Sequence, residues 1–235
     1  MSTAGPRVLI TRAEPDASAT AALVKARGGV PTTAPILEIV RRGDILPDRV
    51  PDAVLAFTSA NGVRAYTDAG GPPRPAWCVG AVTARAAVAA GLTVAGVAEG
   101  DVASLAAALG EAAPPRVVHV RGAHAAGSLA QALCAAGVPS EPLVLYEARA
   151  AARLPEAAAE ALRDGTDALL YSPRSARLLS DLMVRAGLGD ALATRRVGML
   201  SRAVADAFHR PVGAAVIPPD ATSSGLVDFL LRRRT

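Results

Sequence analysis

RVLITR at residues 7–12 and RVVHVR at residues 116–121 are the two stretches on which the fold turns. Each is an aliphatic run closed at both ends by arginine. Each leads through a helix-like stretch to a Gly-Val-Pro turn. From that turn, GVPTTAPILEIVR (29–41) matches GVPSEPLVLYEAR (137–149) in length and pattern. The correspondence then continues in order. DAVLAFTSANGV from Asp52 resembles DALLYSPRSA from Asp167. VGAVTARAAVAAG from Val79 resembles VGMLSRAVADAF from Val197. DVASLAAAL (101–109) echoes ATSSGLVDFL (221–230). An internal period governs the architecture wherever it occurs. Here it makes the chain two copies of one α/β unit.

Within each copy, short aliphatic runs alternate with alanine-rich amphipathic stretches. Val8 to Thr11, Ala53 to Phe57, Val117 to Val120 and Ala168 to Tyr171 read as buried strands. Ala17 to Arg27, Val82 to Ala90, Ala125 to Ala136 and Ser201 to Phe208 read as helices. Strand–helix alternation through short Gly/Pro turns predicts α/β domains with parallel sheets covered on both faces. Two stretches, RRGDILPDRVPD (41–52) and ARAAARLPEA (148–157), read as linkers. Two similar α/β domains joined there would leave a cleft between them.

In parallel sheets, ligands bind beyond the carboxyl ends of the strands. That rule selects Arg12, Thr58, Ser59, Gly80, Arg121, Gly122, Ser172 and Ser201, which follow the strands directly. Backbone N–H groups at helix starts there can bind anions. Thr58, Ser59 and Asn61 open a helix, and so do Ser172 and Ser175, so each is equally an ordinary N-cap.

Composition narrows the partner. The 235 residues are 51% hydrophobic, 20% charged and 3% aromatic, which excludes disorder, collagen and coiled coil. No apolar run of about 18 residues lacks a charge, so no membrane span is expected. The start of the chain has no apolar signal core, which points to the cytoplasm. The net charge is +4, and Lys25 is the only lysine. An arginine excess of this kind suits an anionic small molecule. Nucleic acid is disfavoured, because the basic residues are scattered and aromatics are few. The run Arg232-Arg233-Arg234 reads as a solvated helix end. Cys78 and Cys134 have no metal spacing and read as buried free thiols. Trp77 and Phe57 read as core, and His119 as a strand histidine satisfied locally. No P-loop, G-x-G-x-x-G after a strand, G-x-S-x-G or H-E-x-x-H occurs. Elimination leaves a bilobed protein that binds an anion without a metal or cofactor.

The chain resembles the uroporphyrinogen-III synthase family over essentially its full length. The resemblance rests on VLITRAEPDASATAALVKARGGVPTTAPILEI, AFTSANGVRA (56–65), CVGAVTARAAVAAGLTV (78–94), VRGAHAAGSLAQALCAAGVPSEPLVLYEA (120–148) and LLYSPRSARLL (169–179), in that order. It implies two α/β domains joined by a two-stranded linker, the first discontinuous: residues 1–38 with 150–235, and 39–149. It implies a cofactor-free lyase of haem biosynthesis that closes hydroxymethylbilane to uroporphyrinogen III. Water is lost and the last pyrrole is inverted, through an azafulvene and a spiro intermediate. The substrate carries an acetate and a propionate on each ring. The expected partners are this substrate and the preceding pathway enzyme, with no nucleic acid or membrane, and the chain is expected to be monomeric. The alternative is a non-catalytic bilobed cytoplasmic protein binding an anionic metabolite.

The resemblance also assigns residues. Tyr146 matches the linker-strand tyrosine that donates to the departing hydroxyl. Its bland reading is a packed ring with a wet hydroxyl. Arg12 matches a family arginine, which either holds a substrate carboxylate or pairs with a nearby acid. Arg121 is its repeat partner. Thr83 matches a hydroxyl position of the family, which implies contact with the substrate. Ala203 and Val204 stand where many members have threonines, leaving Ser201 as the substitute donor.

Overall fold

The computed structural model describes residues 5–42, 53–99, 101–124 and 129–232. It divides into two compact units, residues 1–38 with 149–235 and residues 39–148, called here the first and second unit. In chain order the described elements are β1 (Arg7–Ile10), α1 (Asp16–Ala26), β2 (Val30–Thr33), β3 (Leu37–Arg41), β4 (Val54–Phe57), α2 (Ala60–Asp68) and β5 (Pro75–Val79). Then come α3 (Gly80–Ala89), β6 (Thr93–Ala98), α4 (Val102–Ala112), β7 (Val117–Gly122), α5 (Leu129–Ala135) and β8 (Ser140–Ala150). The last are α6 (Glu156–Arg163), β9 (Asp167–Leu170), α7 (Pro173–Arg185), β10 (Arg196–Met199), α8 (Arg202–Asp206), β11 (Ala214–Val216) and α9 (Ser223–Leu231).

One sheet has the order β11-β10-β9-β1-β2 and the other β3-β8-β7-β4-β5-β6. Apart from β3 with β8, neighbours pair in parallel, for example Leu9 with Ala168 and Ala56 with His119. The two sequence copies map onto these sheets strand for strand. β11, β10, β9, β1 and β2 follow one another as their counterparts β6, β5, β4, β7 and β8 do. Each sheet therefore combines the opening βαβ of one copy with the remainder of the other.

The copies differ at one informative point. Pro35 stands between β2 and β3 in the first copy, where the strand breaks. Leu143 stands there in the second copy, and β8 runs on for 11 residues. β3 lies beside β8 in the sheet. The bonds Arg42 N–H to Leu145 O (2.8 Å) and Ala151 N–H to Ile36 O (2.9 Å) run antiparallel. The border between units falls within these two strands. The expected linker at 148–157 is accordingly strand as far as Ala150 and helix from Glu156. The other, at 41–52, lies outside the described residues beyond Arg42, as do 125–128 of the helix expected over 125–136 and Arg233–Arg234.

Alternation along the strands supplies a core on both faces of each sheet. In the first unit Leu9, Leu170 and Met199 pack with α6, α7 and α8, while Val8, Ile10 and Leu169 pack with α1 and α9. In the second unit Leu55, Phe57 and Val118 pack with α2 and α3, and Ala56 and Val117 with α4 and α5. Phe57 is fully buried and meets Tyr66 edge to face at 6.0 Å. Trp77 is only half-buried. Its ring lies over Gly96 of the edge strand β6, where an added Cβ would sit 2.4 Å from ring carbons. That close approach explains a glycine inside a strand.

The thiols do not share one environment. Cys78 is buried in β5, and burial pushes its pKa up to about 11. Cys134 is exposed, contrary to the sequence expectation. The buried residues of α5 are Leu129 and Leu133, one turn apart, and the next position rotates away from that face. A thiolate-selective alkylating reagent at pH 8 should modify Cys134 alone in the folded protein, and Cys78 only after denaturation. Equal labelling of both in the native state would contradict the burial of Cys78.

Candidate functional site

Two clusters of polar side chains form where the strands of each sheet end. In the second unit the cluster is built around Tyr146 on β8. β7 and β8 slip register between Arg121 and Gly122, so that Gly122 faces Tyr146 while Arg121 faces Val144. The Tyr146 ring then lies directly on Gly122, where a Cβ would come within 2.7 Å of it. Gly122 is thus the position that admits the ring. Ser59 and the Gly122 amide are the hydrogen-bonding neighbours of the phenol, and Arg64 and Arg121 supply positive charge nearby. Burial dominates and raises the Tyr146 pKa above its ordinary value, although these neighbours oppose it. The phenol therefore stays protonated through neutral pH.

The surrounding groups are held by local structure. Ser59 caps α2 by accepting from Asn61 N–H at 3.2 Å. Asn61 Oδ1 accepts from Arg64, one turn further along the helix. Thr58 Oγ1 lies 3.5 Å from Nε2 of the buried His119. The Arg121 guanidinium turns back on its own loop, donating to Gly122 O at 3.1 Å and Ala123 O at 3.3 Å. Gly80 opens α3 with φ +71°, a conformation glycine adopts without strain. Thr83, in the first turn of α3, is buried.

In the first unit the cluster is built around Arg12. Its guanidinium donates to Asp16 Oδ2 at 2.7 Å, Ser223 Oγ at 3.1 Å and Thr20 Oγ1 at 3.4 Å. It also sits 4.1 Å above the centre of the Tyr171 ring. Ser172 and Ser175 form a capping box on α7 with Pro173 in its first turn. Their hydroxyls are 2.9 Å apart. Ser201 caps α8 without a side-chain hydrogen bond. Val204 is buried in the core of this unit and Ala203 is exposed. The valine at a family threonine position thus does structural work.

Sequence reasoning passed over Arg64 and Tyr171. Arg64 lies three residues after Asn61, a spacing that places it on the same helix face. Tyr171 directly follows β9, so the strand-end rule that selected Ser172 applies to it equally. Among the described residues, no group of three His, Cys, Asp or Glu side chains converges to hold a metal ion. No described helix is long and apolar enough to cross a membrane.

Comparison with known proteins places this arrangement. A uroporphyrinogen III synthase mutant from Thermus thermophilus superposes with a TM-score of 0.57 at 22% identity, covering 96% of each chain. The uroporphyrinogen-III synthetase of Helicobacter pylori gives a TM-score of 0.65 at 15% identity, covering 95% of this chain and 97% of its own. These likenesses establish the fold. A search of curated protein sequences finds no match. The family profile described as uroporphyrinogen-III synthase HemD matches residues 18–228, most of the sequence. The order of the strand-end motifs, the paired α/β sheets and this match agree: the chain belongs to the uroporphyrinogen-III synthase family.

Proposed function

We propose that the protein is a cofactor-free lyase that closes hydroxymethylbilane to uroporphyrinogen III, with loss of water and inversion of the last ring. The observation that carries the reading is the family match over residues 18–228. The chemistry asks little of side chains. The electron-rich pyrrole assists loss of hydroxide, and the last ring attacks the resulting azafulvene through its substituted carbon. Holding the chain in that geometry and excluding water are the main tasks.

In this reading Tyr146 donates a hydrogen bond to the departing hydroxyl. Its raised pKa suits a donor that keeps its proton until charge develops on the leaving oxygen. If the proton transfers, that released when the attacking pyrrole regains aromaticity restores the phenol. Arg64 and Arg121 on one unit and Arg12 on the other hold positive charge beside strand ends, where the substrate carboxylates are proposed to bind. Thr58, Ser59, Asn61, Gly80, Gly122, Ser172, Ser175 and Ser201 contribute hydroxyl, amide or backbone donors. Thr83 is proposed to support the start of α3. The same proposal takes the protein to act as a cytoplasmic monomer and to receive its substrate from the preceding enzyme.

Incubation with freshly generated hydroxymethylbilane tests the reading. The type III isomer is expected well above the spontaneous background, which closes without inversion. Tight binding accompanied only by the non-inverted isomer would instead favour a binding protein.

A further inference from the structure

His119 is a buried titratable side chain to which the proposed mechanism gives no task. It lies in β7 between Val118 and Val120, sealed from solvent. The other unit shows that this position does not call for a polar group. The repeat puts Ile10 of β1 where His119 stands, fully buried, and Ile10 lies beside Leu169 as His119 lies beside Ala56. An aliphatic side chain packs there without the cost of desolvating an imidazole. Burial and the charge of Arg121 lower the His119 pKa to about 4. At neutral pH the ring is therefore uncharged, with one N–H and one bare nitrogen.

The imidazole reaches one group. Ala56, beside His119, packs on one face of the sheet and Phe57 on the other, so alternation returns Thr58 to the face of His119. Thr58 Oγ1 lies 3.5 Å from Nε2, and among the described residues no other side chain comes within hydrogen-bonding distance of the ring. Contacts of this length are common in sites that tighten around a substrate. Thr58 is half-buried and immediately precedes Ser59, the cap of α2. In the first unit the residue before the equivalent cap, Ser172, is Tyr171. The two positions thus differ together between the units: Ile10 stands with Tyr171, and His119 with Thr58.

We infer that His119 is a positioning residue for substrate recognition in the second unit: its Nε2–H donates to Thr58 Oγ1 and turns the threonine proton outward, toward an anionic group of the substrate. The inference rests on the proposed function for what Thr58 meets. The direction of the bond follows from the charge of that ligand. With Nε2 as acceptor, the Thr58 proton would be used inside the protein, and the hydroxyl would face an anion with its lone pairs. With Nε2–H as donor, one lone pair of Oγ1 is occupied and the O–H points away from the ring. The bond received also strengthens the bond that the hydroxyl donates. The acid-sensitive imidazole is retained, on this account, for the orientation of one hydroxyl at the end of β4.

Nitrogen NMR of isotope-labelled histidine at pH 7 should show His119 as a neutral ring with its proton on Nε2, and Thr58→Val should shift that nitrogen. Kinetics and thermal melts then separate positioning from packing. His119→Ile installs the residue of the other unit, of similar volume, and should melt at the wild-type temperature or above. It should nonetheless raise KM for hydroxymethylbilane about fivefold, with kcat within twofold of wild type, because an undirected hydroxyl binds less well. His119→Gln, whose amide N–H can take the place of Nε2–H, should recover most of that KM. Thr58→Val should raise KM at least as much as His119→Ile. Adding His119→Ile to it should change KM by less than about twofold, since the imidazole acts through the hydroxyl. A proton on Nδ1 instead of Nε2, an unchanged KM in His119→Ile, or losses that multiply in the double variant would overturn the inference. Absence of type III product from wild type would sink the proposed function, and the ring nitrogens would still report whether His119 donates to Thr58.

Discussion

Replacing Tyr146 with phenylalanine is expected to lower kcat by about 10²-fold while leaving detectable type III product. Removing one positioned donor at a site of developing negative charge typically costs about 10²–10³-fold. The lower end applies here, because the pyrrole nitrogen already assists departure of the hydroxyl. The residual activity follows from the same argument: inversion depends on how the chain is held, and the phenylalanine ring fills the same space over Gly122. A companion variant separates the hydroxyl from its placement. Gly122→Ala puts a Cβ within 2.7 Å of the Tyr146 ring and must displace it. The phenol then survives chemically but points elsewhere, and the loss should match or exceed that of Tyr146→Phe. Stopped-flow cyclisation with product isomers resolved by chromatography reads both variants. An unchanged rate in Tyr146→Phe removes the phenol from the reaction. A normal Gly122→Ala beside a slow Tyr146→Phe would show that the ring tolerates displacement.

Much of this arrangement is legible in the sequence because it is written twice. The paired motifs predict two similar parallel-sheet α/β units, and the two sheets repeat one strand order over five strands. The strands from Val8, Val117 and Ala168 are found within a residue or two of their expected bounds, because buried parallel strands are short aliphatic runs with few alternatives. What a linear reading misses arises from local geometry. The exposure of Cys134 depends on a single step around a short helix. The slip between Arg121 and Gly122 that brings Gly122 opposite Tyr146 leaves no mark in composition. Arg64 and Tyr171 belong to motifs that the sequence does display, yet their neighbours come from other strands and helices. Arg12 meets Ser223 across 211 residues of chain. Strand-end position finds the vicinity of a site, whereas the pairing of donors within it needs the fold.

The largest effect on stability is expected from acid, through His119. This residue lies in β7 at the centre of the second unit, 2% exposed. Burial, reinforced by the charge of Arg121 two residues along the same strand face, lowers its pKa to about 4, from an ordinary value of 6.5. Above pH 6.5 the imidazole is neutral in both folded and unfolded chains, and its full contribution is present. As pH falls below 6.5, the unfolded chain binds a proton that the folded one refuses, so the unfolded state gains. The loss continues until about pH 4, where the folded histidine also protonates. Across that window the gap corresponds to about 3 kcal/mol, a large share of the stability of a small domain. Trp77, the single tryptophan, lies in β5 of the same unit and reports its unfolding selectively. Urea melts followed by Trp77 should therefore shift to lower denaturant between pH 6.5 and 4 in the wild type. His119→Gln, which does not titrate, should show a flatter dependence over the same range even if it starts from a lower plateau. The comparison of slopes isolates the proton from any packing defect, and parallel slopes in the two proteins would assign the acid sensitivity to other groups.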